Sequence, residues 1–492
     1  MLFEAFKENR EKHPEAAAFL VTSGDRSLPI SWRRFTDDIE TVAYLIENQA
    51  PGATVGVLGE NSYEWITAHA AAIFSGARVV PVDINLTPAE VASRLRFVGA
   101  RLLVHSALYA AKARATAALM PGLAIAGFGT LETDRYLDEA RSRLAAGAKG
   151  LWSRPAESVD VRRTAMLVFT SGTTSEPRGA ELTIESMETF AMSADLQLRM
   201  KFGQRSLMLL PLHHIFGVCT TYMMLAKGVA LGVCPDFRRI YDAVERFRVN
   251  FIFLVPALTE ILAARIEQHG RSAEEALGCS IDWILVGGAP LPRRTFERMQ
   301  SLGVRMITGY GLTETAAVYS IAPAVGDPRP GSAGQASRLP GVETRVSETG
   351  ELLIRGPAVM KGYYKSPEHT ARVIDPEGWF HTGDIGRIDA DGFVWITGRA
   401  SRTIILSSGK KIAPEELEEK LLALPGVLEA MVSGDGEKRD VCAEIYASVS
   451  ETSVKRLVSE LNATLPIYKR IKRVKVRTEP FPRTSSGKIR VG

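Results

Sequence analysis

Thr170-Ser171-Gly172-Thr173-Thr174-Ser175-Glu176-Pro177-Arg178-Gly179 follows the apolar run at residues 165–169, and this junction of strand-like run and polar loop decides the fold. Hydroxyls, glycines and a cation on a loop after a strand can wrap a polyphosphate with backbone N–H groups, O–H donors and charge. The pattern G-x-x-x-x-G-K-[ST] is absent, so this is no Walker loop; composition alone also allows a plain turn. Working outward, short apolar runs alternate with helical patterns, as at 53–58 before 63–74, 78–82 before 87–98 and 281–286 before 292–302. That rhythm belongs to layered α/β folds. From Gly341 onward the texture turns to short β-rich runs separated by glycines, and Gly398-Arg399-Ala400-Ser401-Arg402 then forms a polar break. Pro414-Glu415-Glu416 opens a helix with proline in its first turn and acids at its positive end. The expected architecture is a large N-terminal domain (1–398) of layered α/β sheets with a small β subdomain, a hinge (399–402) and a small mobile α+β C-terminal lid (403–492).

The chain of 492 residues is long enough for two to four domains at about 100–200 residues each. With 46% hydrophobic and 24% charged residues it reads as a globular protein, which excludes a disordered or fibrous class. A formal charge of +4 is too small over this length to imply nucleic acid or an anionic membrane as partner. Cys219, Cys234, Cys279 and Cys442 have no C-x-x-C or zinc-like pairing, so a reducing compartment is expected. The first residues carry no export signal, and the longest apolar stretch, 251–264, is broken by Pro256 and Glu260. Neither an export route nor a membrane span is expected, and the cytoplasm is the expected location.

A second glycine-bearing segment, Thr308-Gly309-Tyr310-Gly311-Leu312-Thr313-Glu314-Thr315, lacks the third glycine of a dinucleotide fingerprint because Glu314 stands there. Its aromatic ring, hydroxyl and carboxylate suit a base, a phosphate and a hard cation such as Mg²⁺, though for the segment taken alone a turn is the safer reading. These two segments, together with Pro482-Arg483-Thr484-Ser485-Ser486-Gly487-Lys488-Ile489, resemble the adenylate-forming superfamily of acyl-CoA synthetases, nonribosomal adenylation domains and beetle luciferase. The resemblance runs on through Leu210-Pro211-Leu212-His213-His214-Ile215-Phe216-Gly217, Gly287-Gly288-Ala289-Pro290-Leu291, Gly350-Glu351-Leu352-Leu353-Ile354-Arg355-Gly356, Trp379-Phe380-His381-Thr382-Gly383-Asp384 and Leu406-Ser407-Ser408-Gly409-Lys410. Motifs in this order cover nearly the whole chain.

The resemblance implies a two-step reaction: a carboxylate attacks the α-phosphate of ATP, giving acyl-adenylate and pyrophosphate, and a thiol then captures the acyl group. It implies ATP, Mg²⁺ and CoA as cofactors. On the matching positions, Thr170, Ser171, Gly172, Thr173, Thr174 and Arg178 would cradle the phosphates, and Thr313 with Glu314 would hold the α-phosphate and Mg²⁺, with Thr174 as a second metal contact. Gly288, Ala289, Pro290, Tyr310 and Gly311 would form the adenine slot, and Asp384 and Arg399 would hold the ribose. Lys488 would bridge the substrate carboxylate and the α-phosphate. His214 would position the acid, with His213 in the family's usual aromatic place, while Ile215, Phe216 and Gly217 border the acyl group. Ser408 and Gly409 would line the pantetheine tunnel once the lid has turned.

Amino-acid-activating relatives carry an aspartate after the phosphate loop to pair with an α-ammonium, and residues 213–221 contain no acid. An acid without an α-amine is expected, and the 406–410 loop looks most like that of fatty acyl-CoA synthetases. Four positions depart from the family pattern: Ser175 replaces a glycine, Arg178 a lysine, Ser401 a lysine and Arg402 the acidic hinge residue. Reversing charge at the hinge would rebalance the lid positions and slow thioester formation. The leading expectation is a fatty acid–CoA ligase acting as monomer or homodimer. The alternatives are an acyl-AMP ligase loading an acyl carrier protein, for which the basic run Lys469, Arg470, Lys472, Arg473, Lys475 and Arg477 offers a docking strip, an aryl-CoA ligase, and a non-catalytic acyl or nucleotide sensor.

Overall fold

The computed structural model describes every residue except 1, 24–25, 129–141, 143–149, 171–177, 235, 269–271, 327–328, 407–409, 436–439 and 483–492. The alternating runs of the sequence become strand–helix units close to their expected bounds: Thr54–Leu58 before Tyr63–Phe74, Arg78–Val82 before Pro88–Phe97, and Trp283–Val286 before Arg293–Ser301. Local signals fix the helix starts. Ser62 Oγ accepts the N–H of Trp65, and Thr87 forms a reciprocal capping box with Glu90 around Pro88 in the first turn. The apolar stretch near 251–264 splits at Pro256 into the strand Phe251–Leu254 and the helix Pro256–Gln268. No helix among the described residues is long and apolar enough to cross a membrane.

Six strands form one sheet in the spatial order 124–127, 100–105, 54–58, 78–82, 164–170, 178–183. All run parallel except Arg178–Thr183, which turns back along Thr164–Thr170. A five-stranded sheet holds Phe251–Leu254, Trp283–Val286 and Met306–Tyr310 in parallel, with Ser320–Ile321 and Gln335–Ala336 added antiparallel. Strands such as Thr54–Leu58 and Trp283–Val286 are buried at every position, as expected of parallel sheets covered on both faces. The helices Tyr63–Phe74 and Ile215–Ala226 are apolar nearly all round. They share one core with Val55, Val57 and Val79 of the first sheet and Phe251, Phe253, Leu285 and Ile307 of the second.

The β-rich region is a four-stranded antiparallel sheet of Glu343–Val346, Glu351–Arg355, Phe380–Ile388 and Val394–Arg399. Beyond it, the helices Pro414–Leu422 and Glu451–Thr464 cover a three-stranded sheet of Val427–Gly434, Val441–Ala447 and Arg473–Arg477. This C-terminal unit buries a core of its own, from Ile404 through Leu417, Leu421, Ile445 and Val454 to Ile471.

Candidate active site

Of the residues singled out by sequence, Thr170, Gly288 and Tyr310 lie at or just past strand ends of the two large sheets. In open α/β sheets the carboxyl ends of parallel strands are where ligands bind. Thr170 closes one strand and Arg178 opens the next in direct register, so the phosphate-type loop joins two neighbouring strands. Ser171, Gly172, Thr173 and Thr174 lie outside the described residues, as does Ser175.

Residues 360–364 stitch this hairpin to the Thr313-Glu314 turn. Backbone bonds run from Lys361 N to Glu181 O, Glu181 N to Gly362 O and Tyr364 N to Gly179 O, all within 2.8–2.9 Å, while Met360 N donates to Glu314 O at 2.8 Å. Tyr363 then donates its hydroxyl to Glu314 Oε1 at 2.8 Å, and the Arg178 guanidinium lies 5.9 Å from the centre of its ring. Burial, and next the Glu314 carboxylate, push the Tyr363 hydroxyl well above its ordinary pKa, so it stays a donor at physiological pH. Tyr363 was not among the residues marked by sequence. Only its return past the hairpin gives it a place here.

Glu314 sits on a single turn, Thr313–Thr315, followed by two alanines in the left-handed region, Ala316 at φ 48° and Ala317 at φ 65°. That pair sends the chain back beneath Gly311. A Cβ on Gly311 would lie 2.1 Å from the Ala317 carbonyl oxygen, so glycine is required here by a backbone crossing.

Asp384 is held from two sides. Its strand pairs with Val394–Arg399 so that Asp384 faces Arg399 in register. Arg399 Nε donates to Oδ1 at 2.7 Å and the Tyr310 hydroxyl donates to Oδ2 at 2.5 Å, while the Asp384 N–H donates to Thr382 Oγ1 at 3.0 Å. The Asp384 side chain is 9% exposed and that of Arg399 51%, so it is the carboxylate end of the pair that is withdrawn from water. Burial opposes the charge on Arg399, yet Asp384 outweighs it and holds the guanidinium protonated. Burial and then Asp384 raise the Tyr310 hydroxyl in the same way.

Across from this cluster, Gly287 ties its N–H to the Leu254 carbonyl at 3.1 Å, and Gly288 follows at φ 80°. Ala289 is half-buried and Pro290 exposed. The Phe216 ring closes the corner: a Cβ on Gly287 would meet it at 3.0 Å, and Phe253 lies edge-on at 6.4 Å between centroids. His214 caps the helix Ile215–Ala226, half-buried, with its ring 4.4 Å from that of His213. Ile215 belongs to the main core, and a Cβ on Gly217 would stand 2.3 Å from the Pro211 carbonyl oxygen. Within the histidine segment, His214 and Phe216 therefore remain half-exposed while Ile215 and Gly217 are taken up by packing.

In the segment expected to serve as hinge, Arg402 donates from Nη1 to Glu415 Oε1 (2.9 Å) and Glu418 Oε2 (3.2 Å), and from Nη2 to Glu418 Oε1 (2.6 Å). The charge that departs from the family pattern is thus matched by two carboxylates of the C-terminal unit's first helix. The basic run of the C-terminal strand is largely matched too: Lys469 pairs with Glu416, Arg473 with Asp435, and Lys475 and Arg477 with Glu444. Ser408, Gly409 and Lys488 lie outside the described residues.

A Ser/Thr/Gly sequence between two neighbouring antiparallel strands, a buried aspartate held by tyrosine and arginine, and a C-terminal unit with a core of its own are features that suit a nucleotide-using enzyme. The chain belongs to the AMP-binding enzyme family: the family model matches residues 6–364, and the model of the AMP-binding enzyme C-terminal domain matches 401–491. It is 32% identical over 482 residues to 4-coumarate–CoA ligase 2 of Oryza sativa subsp. japonica, covering 89% of this chain and 82% of that one. It is 29% identical to the long-chain-fatty-acid–CoA ligase FadD13 of Mycobacterium tuberculosis, covering 89% and 87%. The ATP-bound MatB of Rhodopseudomonas palustris superposes with a TM-score of 0.84 at 25% identity, covering 99% of this chain and 97% of that one.

Proposed function

We propose that the chain joins a carboxylic acid to CoA at the expense of ATP, with a fatty acid as the acid. The observation that carries the reading is Asp384, a buried carboxylate held by Tyr310 and Arg399. In the first step a carboxylate oxygen of the acid bonds to the α-phosphorus and the bridging bond to the β-phosphate breaks, releasing pyrophosphate. In the second the CoA sulfur bonds to the acyl carbon, the acyl–phosphate bond breaks and AMP leaves.

The first step brings two anions together, so its catalysis is positioning and charge neutralisation. Thr170, Arg178 and the 171–174 segment hold the phosphates, and Thr313 approaches the α-phosphate. Asp384 accepts the ribose hydroxyls, with Arg399 and Tyr310 setting its direction. Gly288, Ala289, Pro290 and Gly311 border the base. Lys488 supplies the cation between the acid and the α-phosphate. Glu314 offers the hard oxygen that Mg²⁺ requires, already oriented by Tyr363, so Glu314 with Thr174 would hold the ion, whose charge would offset that of the phosphates. Residues 403–492 act as a lid that turns about 399–402 to bring Ser408 and Gly409 to the thiol path.

For the acid, the lack of any carboxylate in residues 213–221 disfavours an amino acid. An aryl acid is the second reading, favoured by the Phe216–Phe253 edge-on pair beside Gly287 and by the identity to a 4-coumarate ligase. A carrier-protein acceptor draws less support, since most cations of its supposed docking strip are already paired. Acid-dependent exchange of labelled pyrophosphate into ATP, run from acetate to stearate and over cinnamic and benzoic acids, tests the choice. Each buried methylene contributes about 0.8 kcal/mol, so a fatty-acid site gives a rising series with an optimum, whereas a preference for cinnamic acids establishes the aryl reading.

A further inference from the structure

Two loops of the six-stranded sheet reach the segment that carries His214. After the strand Thr54–Leu58, Asn61 donates from Nδ2 to the Leu210 carbonyl at 2.9 Å and accepts the Leu212 N–H on Oδ1 at 3.1 Å. One side chain thus straps the chain immediately before the two histidines. After the neighbouring strand Arg78–Val82, Asp83 brings Oδ1 to 3.4 Å from Nε2 of His213. The same oxygen accepts the backbone N–H of Asn85 at 2.9 Å and its side-chain amide at 3.0 Å, which fixes the carboxylate's direction. The His213 side chain is only 8% exposed, and its ring centroid lies 4.4 Å from that of His214, tilted by 48°.

Packing alone does not require a nitrogen at His213, where the family usually carries an apolar aromatic ring, and burying an imidazole has a desolvation cost. An imidazole facing a fixed carboxylate calls for a role. We propose that Asp83 and His213 are positioning residues that orient His214 toward the carboxylate of the acid substrate, an inference that rests on the reading of His214 given above. His213 Nε2 is buried without a hydrogen-bond partner among the described residues, and a small approach of the Asp83 carboxylate lets it accept the Nε2 proton and select one tautomer and one ring orientation. The held ring then fixes the plane of His214 beside it. The 3.4 Å spacing is the loose contact expected before substrate enters, to tighten in the complex. Burial lowers the pKa of His213 and Asp83 only partly offsets this, so the ring is neutral at physiological pH and acts through orientation.

The test is acid-dependent pyrophosphate exchange by the full-length protein carrying Asp83→Asn, His213→Phe, His214→Ala and the double change Asp83→Asn/His214→Ala. His213→Phe restores the aromatic volume and serves should Asp83→Asn fold poorly. The expected result is a rise of about tenfold in KM for the acid in either single variant, the scale of one charge-assisted contact, with KM for ATP within about twofold of the parent. In the His214→Ala background Asp83→Asn then adds nothing, because its effect travels through His214. Multiplying effects in the double variant, an unchanged acid KM, or equal rises in both KM values overturn the relay. If His214→Ala itself leaves the acid KM unchanged, the reading of His214 fails and the relay with it; a strong His214 effect beside a silent Asp83 fails the relay alone.

Discussion

Arg402→Asp is the substitution on which the family pattern and this structure give opposite answers. The pattern carries an acid at this hinge position, so the change would restore it. Here it would remove the cation between Glu415 and Glu418 and set a third carboxylate against them. The three side chains are 22%, 27% and 15% exposed. Removing one partner of a fully buried pair costs about 3–5 kcal/mol. With this residual exposure, loss of the pair costs about 2 kcal/mol, and repulsion among the three acids brings the total to about 3 kcal/mol. For a unit of this size that corresponds to a fall in Tm on the order of 10 °C or more. The pH dependence has a definite sign. Glu415 is already raised from its ordinary 4.5, chiefly by burial, with Arg402 pulling it down and Glu418 pushing it up. Without Arg402 it rises further, so the folded state binds the proton more tightly than the unfolded chain. Stability then falls as pH rises above the ordinary carboxylate value, and the variant's deficit shrinks on acidification. Scanning calorimetry of the full chain at about pH 7.5 and about pH 5.5 reads both effects. A variant that melts with the parent at both values would refute the compensated hinge.

Asp384→Asn keeps an acceptor for Tyr310 but loses the charge, and the expected outcome is a rise of about tenfold in KM for ATP with little change for the acid, read by pyrophosphate exchange. Gly217→Ala places a methyl group 2.3 Å from the Pro211 carbonyl oxygen, a backbone atom with little freedom to retreat, so chemical denaturation should show a loss of about 1–3 kcal/mol. Lys488→Ala should slow acyl-adenylate formation by about a hundredfold or more while leaving thioester formation from supplied acyl-adenylate near the parent rate, because its charge acts on the first step; equal losses in both half-reactions would contradict that role.

Strand–helix units were legible because their signal, short apolar runs alternating with helical patterns, is local, as is Pro414 at the start of its helix. The Asp384–Arg399 pair was legible only through motif order, since neither residue announces a partner in composition. What stayed hidden was contact across the fold. Tyr363 reaches Glu314 from 49 positions away, and Asp83 meets His213 because the loops after the strands Arg78–Val82 and Arg205–Met208 lie side by side. Glu415, with Glu416, read as the acidic start of a helix, Glu418 was not singled out, and nothing local tied either Glu415 or Glu418 to Arg402. Gly217 and Gly311 were marked for the site, and the fold adds a reason for glycine that sequence could not show: each lets a carbonyl of the chain itself approach closely.

The central claim is two coupled half-reactions in one chain, and the most direct measurement is pyrophosphate release from ATP and a preferred acid, with and without CoA. Multiple turnovers that require both acid and CoA, with acyl-CoA and AMP formed in equal amounts, are the predicted result. Release confined to one equivalent of enzyme and unchanged by CoA, or release independent of any acid, would contradict it.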